Sequence, residues 1–300
     1  MFRQIDIAYS GPGRKGVSMF PGSTKVLFVE AGTFDDGELD VRIPELHSVC
    51  GQKVLYVANW SPGMRMTDLA CLMAIAENSP DFLDILIPFS GAATMERESV
   101  EGEIAMANVE AKLLSCLPGR KRIVIPDLHT LQNKFYFQGA SVRLPSLVPH
   151  LLALLRERGE KDESPFVVVF PDEGAKKRYA KELDLGPDQP LCCSKERIGE
   201  ERVVRVEDAQ RAAGRRVVIV DDLVRTGGTL MKCARALRAA SATKVVVIVP
   251  HSVLPGDAAE RIEACEDIDL FLTTDSVIGV SQKVHGLSKF GVYPIAGILA

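Results

Sequence analysis

No run of apolar residues in this chain reaches the length that crosses a bilayer, and no charged-then-apolar leader opens it. A membrane protein and an exported one both fall outside expectation, and the final Ile298-Leu299-Ala300 is no targeting tripeptide. An excess of one charge is missing too. Thirty-six basic residues against 40 acidic ones leave a formal net charge of −4, which offers no basic face to nucleic acid or to an anionic membrane. Positive contacts to an anionic ligand must therefore be local and few. The seven cysteines show neither the paired spacing of a zinc site nor the even count of a disulfide framework. Even the vicinal Cys192-Cys193 reads as free thiols in a reducing compartment, and a cytoplasmic location is expected.

What is present is an ordinary soluble composition, 46% hydrophobic and 25% charged, over 300 residues, enough for two domains with a core each. Short β-branched runs alternate with longer helical patterns, the signature of parallel α/β layers. Strands are expected at 25–30, 53–57, 82–88, 122–126, 166–170, 216–220 and 244–250, and helices at 67–78, 100–116, 146–158, 230–240 and 258–265. Residues 10–24, rich in Gly, Pro and Ser, read as an irregular loop. The charged, turn-rich 159–165 reads as part of the junction between two comparable halves, with domains expected at 1–147 and 148–300. Strands end in acids in both halves, at Asp127 in the first and at Asp172 and Asp221-Asp222 in the second, although no residue-level repeat is visible.

The most specific feature is Val217-Val218-Ile219-Val220-Asp221-Asp222-Leu223-Val224-Arg225-Thr226-Gly227-Gly228-Thr229. A β-branched strand runs into two carboxylates, at the carboxyl end where parallel strands place their ligands. Arg225, Thr226, Gly227, Gly228 and Thr229 then lead into a helix, and a small-residue turn at a helix N-terminus suits a phosphate. Acids for hydroxyls beside a cradle for phosphate describe a sugar phosphate. An isolated Asp-Asp or Gly-Gly would be ordinary turn chemistry, but the whole string resembles the phosphoribosyl pyrophosphate loop of type I phosphoribosyltransferases and ribose-phosphate pyrophosphokinases.

Five further segments bear on the choice between those families. Asp127-Leu128-His129, followed by Gln132 and the aromatics Phe135-Tyr136-Phe137, could be a hydrogen-bonded turn, yet it is similar to a pyrophosphokinase signature. That resemblance puts His129 at the metal and the ATP polyphosphate, with Asp127 close by. Thr33-Phe34-Asp35-Asp36-Gly37-Glu38 could be an acidic surface turn. It resembles the element with which the family grips adenine from a neighbouring subunit, with Asp35 in place of the usual Ser, which implies contacts from Phe34, Asp36 and Glu38. Pro171-Asp172-Glu173-Gly174-Ala175 looks like the turn opening the ribose phosphate side, with Asp172 as a second magnesium or ribose contact. Lys195 and Arg197 alternate, so on an extended ribbon both point the same way. They match a loop whose Lys and Arg close on the transferring phosphates, with Glu196 between them as in a divergent, plant-type branch. Arg97 remains of the run that binds ATP in the main branch, while Thr94, Met95 and Glu96 replace its other members.

The resemblance covers about residue 32 to the end, including Thr274-Asp275-Ser276, and finds no first helix before Phe34. It implies two similar domains of the type I phosphoribosyltransferase fold, each a parallel sheet flanked by helices, with the last residues packing back on the first domain. The implied activity is a magnesium-dependent ribose-phosphate diphosphokinase, taking ATP and ribose 5-phosphate and working as a homo-oligomer with the ATP site at a subunit interface. His129, Asp127 and Asp172 are the implied metal contacts. Two alternatives remain at this stage, a phosphoribosyltransferase and a non-catalytic regulatory homologue.

Overall fold

The computed structural model describes residues 4–9, 23–157, 166–183, 189–198 and 201–296, leaving out the side chains of 4–9, 23–24, 195–198 and 201–203. The chain separates into two compact units that divide between Pro145 and Ser146. The segment 159–165, expected at the junction, lies outside the described residues, as do 10–22 of the expected loop and the last residues 297–300.

The first unit holds strands β1 (Gln4–Tyr9), β2 (Ser23–Thr33), β3 (Leu39–Arg42), β4 (Lys53–Val57), β5 (Phe82–Leu86), β6 (Lys121–Val124) and β7 (Ser141–Arg143). Helices α1 (Arg65–Glu77) and α2 (Met106–Ser115) belong to it. Its sheet runs β3-β2-β1-β4-β5-β6-β7, every pair parallel except β2–β3 at the edge. Alternate residues Val54 and Tyr56, Leu83 and Ile85, and Ile123 and Ile125 turn to one face and pack on Cys71, Leu72 and Ile75 of α1 and Leu114 of α2.

The second unit holds α3 (Val148–Glu157), β8 (Val167–Phe170), α4 (Glu173–Tyr179), β9 (Leu191–Ile198), β10 (Glu201–Val206), β11 (Arg216–Val220) and β12 (Leu223–Val224). After these come α5 (Gly228–Ala239), β13 (Lys244–Ile248), β14 (His251–Ser252), α6 (Ala258–Ala264), β15 (Leu270–Thr274), α7 (Val280–Lys283) and β16 (Phe290–Tyr293). The sheet order β10-β9-β8-β11-β13-β15-β16 repeats the plan of the first unit, six parallel strands with one antiparallel edge strand. Its strands are apolar on both faces, as a sheet with helices on either side requires. Val167, Val217, Ile219, Val245 and Val247 pack with α5, α6 and α7. Their neighbours Val168, Val218, Val220, Val246 and Ile248 pack with α3 and α4.

The α/β expectation holds, and β4 and β11 have the expected bounds. One helix is corrected. The segment 100–116 becomes helical only at Met106, because Gly102 has a positive φ of 86° and acidic side chains hold the preceding residues in turns. The amide of Gly102 donates to Glu98 Oε1 at 2.6 Å and that of Ser99 to Glu103 Oε2 at 2.9 Å.

Candidate active site

In the second unit the sheet changes direction between β8 and β11, whose strands lead outward to opposite edges. Ligands of open α/β sheets lie outside the carboxyl ends of strands at such a point. The residues that follow these two strands are Asp172 and Asp221-Asp222. Asp172 caps α4, its Oδ1 accepting from the Ala175 amide at 3.1 Å. Asp221 donates its amide to the carbonyl of Ile248, and its Oδ1 accepts from the Asp222 amide at 3.0 Å. Asp222 is buried. Burial, then the charges of Asp222 and Asp172, push the Asp221 carboxyl well above the ordinary carboxylate range. Three acids thus meet where their mutual repulsion favours a proton or a cation.

Beyond the acids the chain is braced from a neighbouring strand end. β12 pairs parallel with β14, the His251 amide donates to the Asp222 carbonyl at 3.1 Å, and the Val253 amide donates to Val224. His251 Nδ1 lies 2.8 Å from Ser276 Oγ, which in turn donates to the Pro250 carbonyl at 3.1 Å. Of this buried support the motifs include Ser276 but not His251, and both reach the loop only through pairing of distant strands.

The turn closes at Gly227, which has φ +75° and precedes α5. A Cβ there would stand 2.8 Å from Ile262 Cδ1, so glycine is required both by the backbone and by α6. No side chain caps α5, leaving its N-terminal amides and the positive end of its dipole for a ligand. Arg225 and Thr226 are exposed beside it, and Gly228 and Thr229 are half-buried. Gly227→Ala should destabilise the protein by about 2–4 kcal/mol, from left-handed strain and overpacking together. Chemical denaturation would measure it, and adding Ile262→Ala should return only the packing part.

The first unit carries the same loop in a closed form. β4 occupies the place of β11 in its sheet, and residues 58–64 join it to α1 as residues 221–227 join β11 to α5, seven in each case. Ala58 and Asn59 stand where the second unit has its two acids. The cradle is filled from within by Asp68, which is fully buried. Its carboxylate accepts from Tyr56 Oη at 2.7 Å and from the amides of Asn59 at 3.2 Å and Trp60 at 2.7 Å. The Trp60 indole then donates to Glu110 Oε2 at 2.9 Å, and Arg65 pairs with the other oxygen. Burial raises the Glu110 carboxyl above its ordinary value against the pull of Trp60 and Arg65. Of the two halves, the second alone leaves this loop open.

The remaining expected residues of the first unit lie on loops that follow strands and at a hairpin tip. Asp127 follows β6 with φ +40° and is 1% exposed, whereas His129 two residues on is exposed. Phe34, Asp36 and Glu38 sit on the β2–β3 hairpin, where the Phe34 amide donates to the Glu38 carbonyl and the Glu38 amide to Asp36 Oδ1. The Phe34 ring is 53% exposed. Arg97 is exposed and lies 3.8 Å from Glu96 Oε1. In the second unit the matching edge hairpin is β9–β10, on which Lys195 pairs with Val204 and Arg197 with Arg202. The side chains of Lys195 and Arg197 lie outside the described residues.

Residues 155–284 match the model of the phosphoribosyl transferase domain family. Over 282 residues the chain is 35% identical to ribose-phosphate pyrophosphokinase 3, chloroplastic, of Oryza sativa subsp. japonica, covering 89% of this chain and 67% of that one. It is 34% identical to ribose-phosphate pyrophosphokinase 4 of the same species, covering 89% of this chain and 85% of that protein. This chain belongs to the ribose-phosphate pyrophosphokinase family. The fold agrees. The crystal structure of phosphoribosylpyrophosphate synthetase from Mycobacterium smegmatis superposes with a TM-score of 0.81 at 23% identity, covering 99% of this chain and 96% of that one.

Membership makes magnesium the metal to test against the residues present. Among the described residues no three His, Cys, Asp or Glu side chains form a ready metal cage. Magnesium rarely uses one, since it takes one or two carboxylates and completes its shell with water and phosphate oxygens. The Asp221, Asp222 and Asp172 group offers hard oxygen donors whose repulsion a dication would relieve. The donor set fits. Among the described residues no helix is long and apolar enough to cross a membrane.

Proposed function

We propose that this chain transfers the β,γ-diphosphoryl group of ATP to the 1-hydroxyl of ribose 5-phosphate, giving phosphoribosyl pyrophosphate and AMP for nucleotide biosynthesis. The observation that carries the reading is the open loop of the second unit. Paired acids and an uncapped helix N-terminus sit at the sheet's switch point, while the twin loop in the first unit is closed by Asp68. Asp221 and Asp222 hold the ribose hydroxyls, and Arg225, Thr226, Gly227, Gly228 and Thr229 hold the 5-phosphate. ATP is held by Phe34, Asp36, Glu38, Arg97 and His129, the exposed ring stacking on adenine and the carboxylates accepting its amine. Phe34 stands on a hairpin tip, which supports an adenine site shared with a second copy and hence a homo-oligomer.

Diphosphoryl transfer asks for alignment and charge neutralisation rather than a covalent nucleophile. Lys195 and Arg197 stabilise the charge that builds on the transferred group. In the second unit Asp172, beside Asp221 and Asp222, would hold magnesium, as would His129 and Asp127 in the first, and the dication would supply charge neutralisation for polyphosphate oxygens. No cysteine takes part, in keeping with a cytosolic setting where thiols stay reduced.

The test is direct. Purified protein with ATP, magnesium and ribose 5-phosphate should release AMP, with and without inorganic phosphate, and a chelator should stop it. Absence of AMP under every condition would leave a non-catalytic homologue, and pyrophosphate release from phosphoribosyl pyrophosphate and a free base would mark a phosphoribosyltransferase instead.

A further inference from the structure

The vicinal cysteines of β9 part company in the fold. Successive residues of a strand face opposite sides of the sheet, so Cys192 joins the core beneath α3 and α4 while Cys193 joins the one beneath α5. On that second side Cys193 meets Cys233 of α5, forty residues later, with the two sulfurs 2.6 Å apart. Both are buried, at 2% and 0% exposure. The spacing is shorter than unbonded sulfurs adopt and only about half an ångström longer than a disulfide of about 2.05 Å. The two sulfurs are carried by elements each held by its own ladder or helix.

We infer that Cys193 and Cys233 are a disulfide-forming pair, oxidised by a peroxide, whose bond fastens the root of the β9–β10 hairpin to helix α5. The step balances as follows. A thiolate of the pair attacks one peroxide oxygen, the O–O bond breaks, and hydroxide leaves behind a sulfenic acid. The second sulfur attacks the sulfenic sulfur, the S–O bond breaks, and its proton departs in the water formed. Two thiols lose two electrons and one peroxide becomes two waters.

The surroundings set the pace and the choice of partner. The contact with Cys193 and burial push the Cys233 thiol well above its ordinary value, so few thiolates form and oxidation is slow. Burial likewise holds Cys192 up at about 12, and its sulfur is turned to the other face, which makes it a bystander. Once made, the bond is shielded from reductants by the same core.

Peptide mapping tests this without any assumption about catalysis. The full protein is treated with hydrogen peroxide, alkylated, digested without reductant and read by mass spectrometry. The expected product joins the peptides of Cys193 and Cys233, is abolished by dithiothreitol, and is absent from Cys233→Ala. Slowed amide exchange across 191–198 should accompany it in the intact protein, together with a rise of about 5 °C in the unfolding midpoint. Exclusive recovery of Cys193 and Cys233 as alkylated thiols after peroxide would overturn the inference. So would a bond from either one to Cys192, or between chains through the exposed Cys50 or Cys116. Because the wild-type map stands alone, a Cys233→Ala variant that fails to fold leaves the test intact.

Discussion

Lys195→Ala is expected to leave a folded protein whose turnover of ATP and ribose 5-phosphate falls by about 10³–10⁵-fold, the scale seen when one cation that neutralises a phosphoryl transition state is lost. The residue lies on β9, paired with Val204 of β10, so its backbone belongs to a ladder that a side-chain truncation does not break. Of the three residues at 195–197 only the two cations are assigned to the transferring phosphates, so Glu196→Ala should change turnover by no more than about threefold while Arg197→Ala should fall with Lys195→Ala. Steady-state rates, with circular dichroism as the check on folding, separate the outcomes. Near-normal turnover in Lys195→Ala would remove it from the mechanism, and equal losses for all three would show that the hairpin acts by its shape.

Asp68→Ala should carry the largest stability effect. Its carboxylate is buried and accepts from the Tyr56 hydroxyl and from two consecutive backbone amides, so truncation strands three donors at once. Each unsatisfied buried donor costs about 1–3 kcal/mol, and with partial relief by water the loss is about 3–5 kcal/mol. Asp68→Asn keeps one accepting oxygen and should lose roughly half as much. Denaturant unfolding followed through Trp60, the one tryptophan of the chain, reports the closed loop itself. Since the carboxylate occupies an anion's place, added sulfate should recover part of the loss in Asp68→Ala and little in the wild type. Unfolding of Asp68→Ala at the wild-type denaturant concentration would mean that something else closes the loop.

The chemistry-bearing segments were legible because each is local. Strand, acids, turn and helix from Val217 to Thr229 follow one another along the chain, and periodicity and turn residues announce each part. The parallel layers were equally plain, since strands covered on both faces read as unbroken apolar runs such as Val217-Val218-Ile219-Val220. Short strands were missed, among them β3, β7 and β16 at sheet edges and β15 inside the sheet, because three to five residues carry too little period of their own. The helix expected from 100 failed for a related reason. Glu98, Glu103 and Gly102 look tolerable in a helix, and only their contacts with nearby amides show that they hold turns.

By itself the sequence determined the α/β class, the family, and the loop from Asp221 to Thr229 with its acids and glycines, all properties written in short local segments along the chain. Tertiary structure alone decided that the two halves share one strand order, that Asp68 closes the first loop while the second stays open, and that Cys193 rather than Cys192 meets Cys233. Those facts depend on which strands pair and which face a side chain takes. Pairing and facing are set by the packing of segments far apart in the chain, which local pattern does not encode.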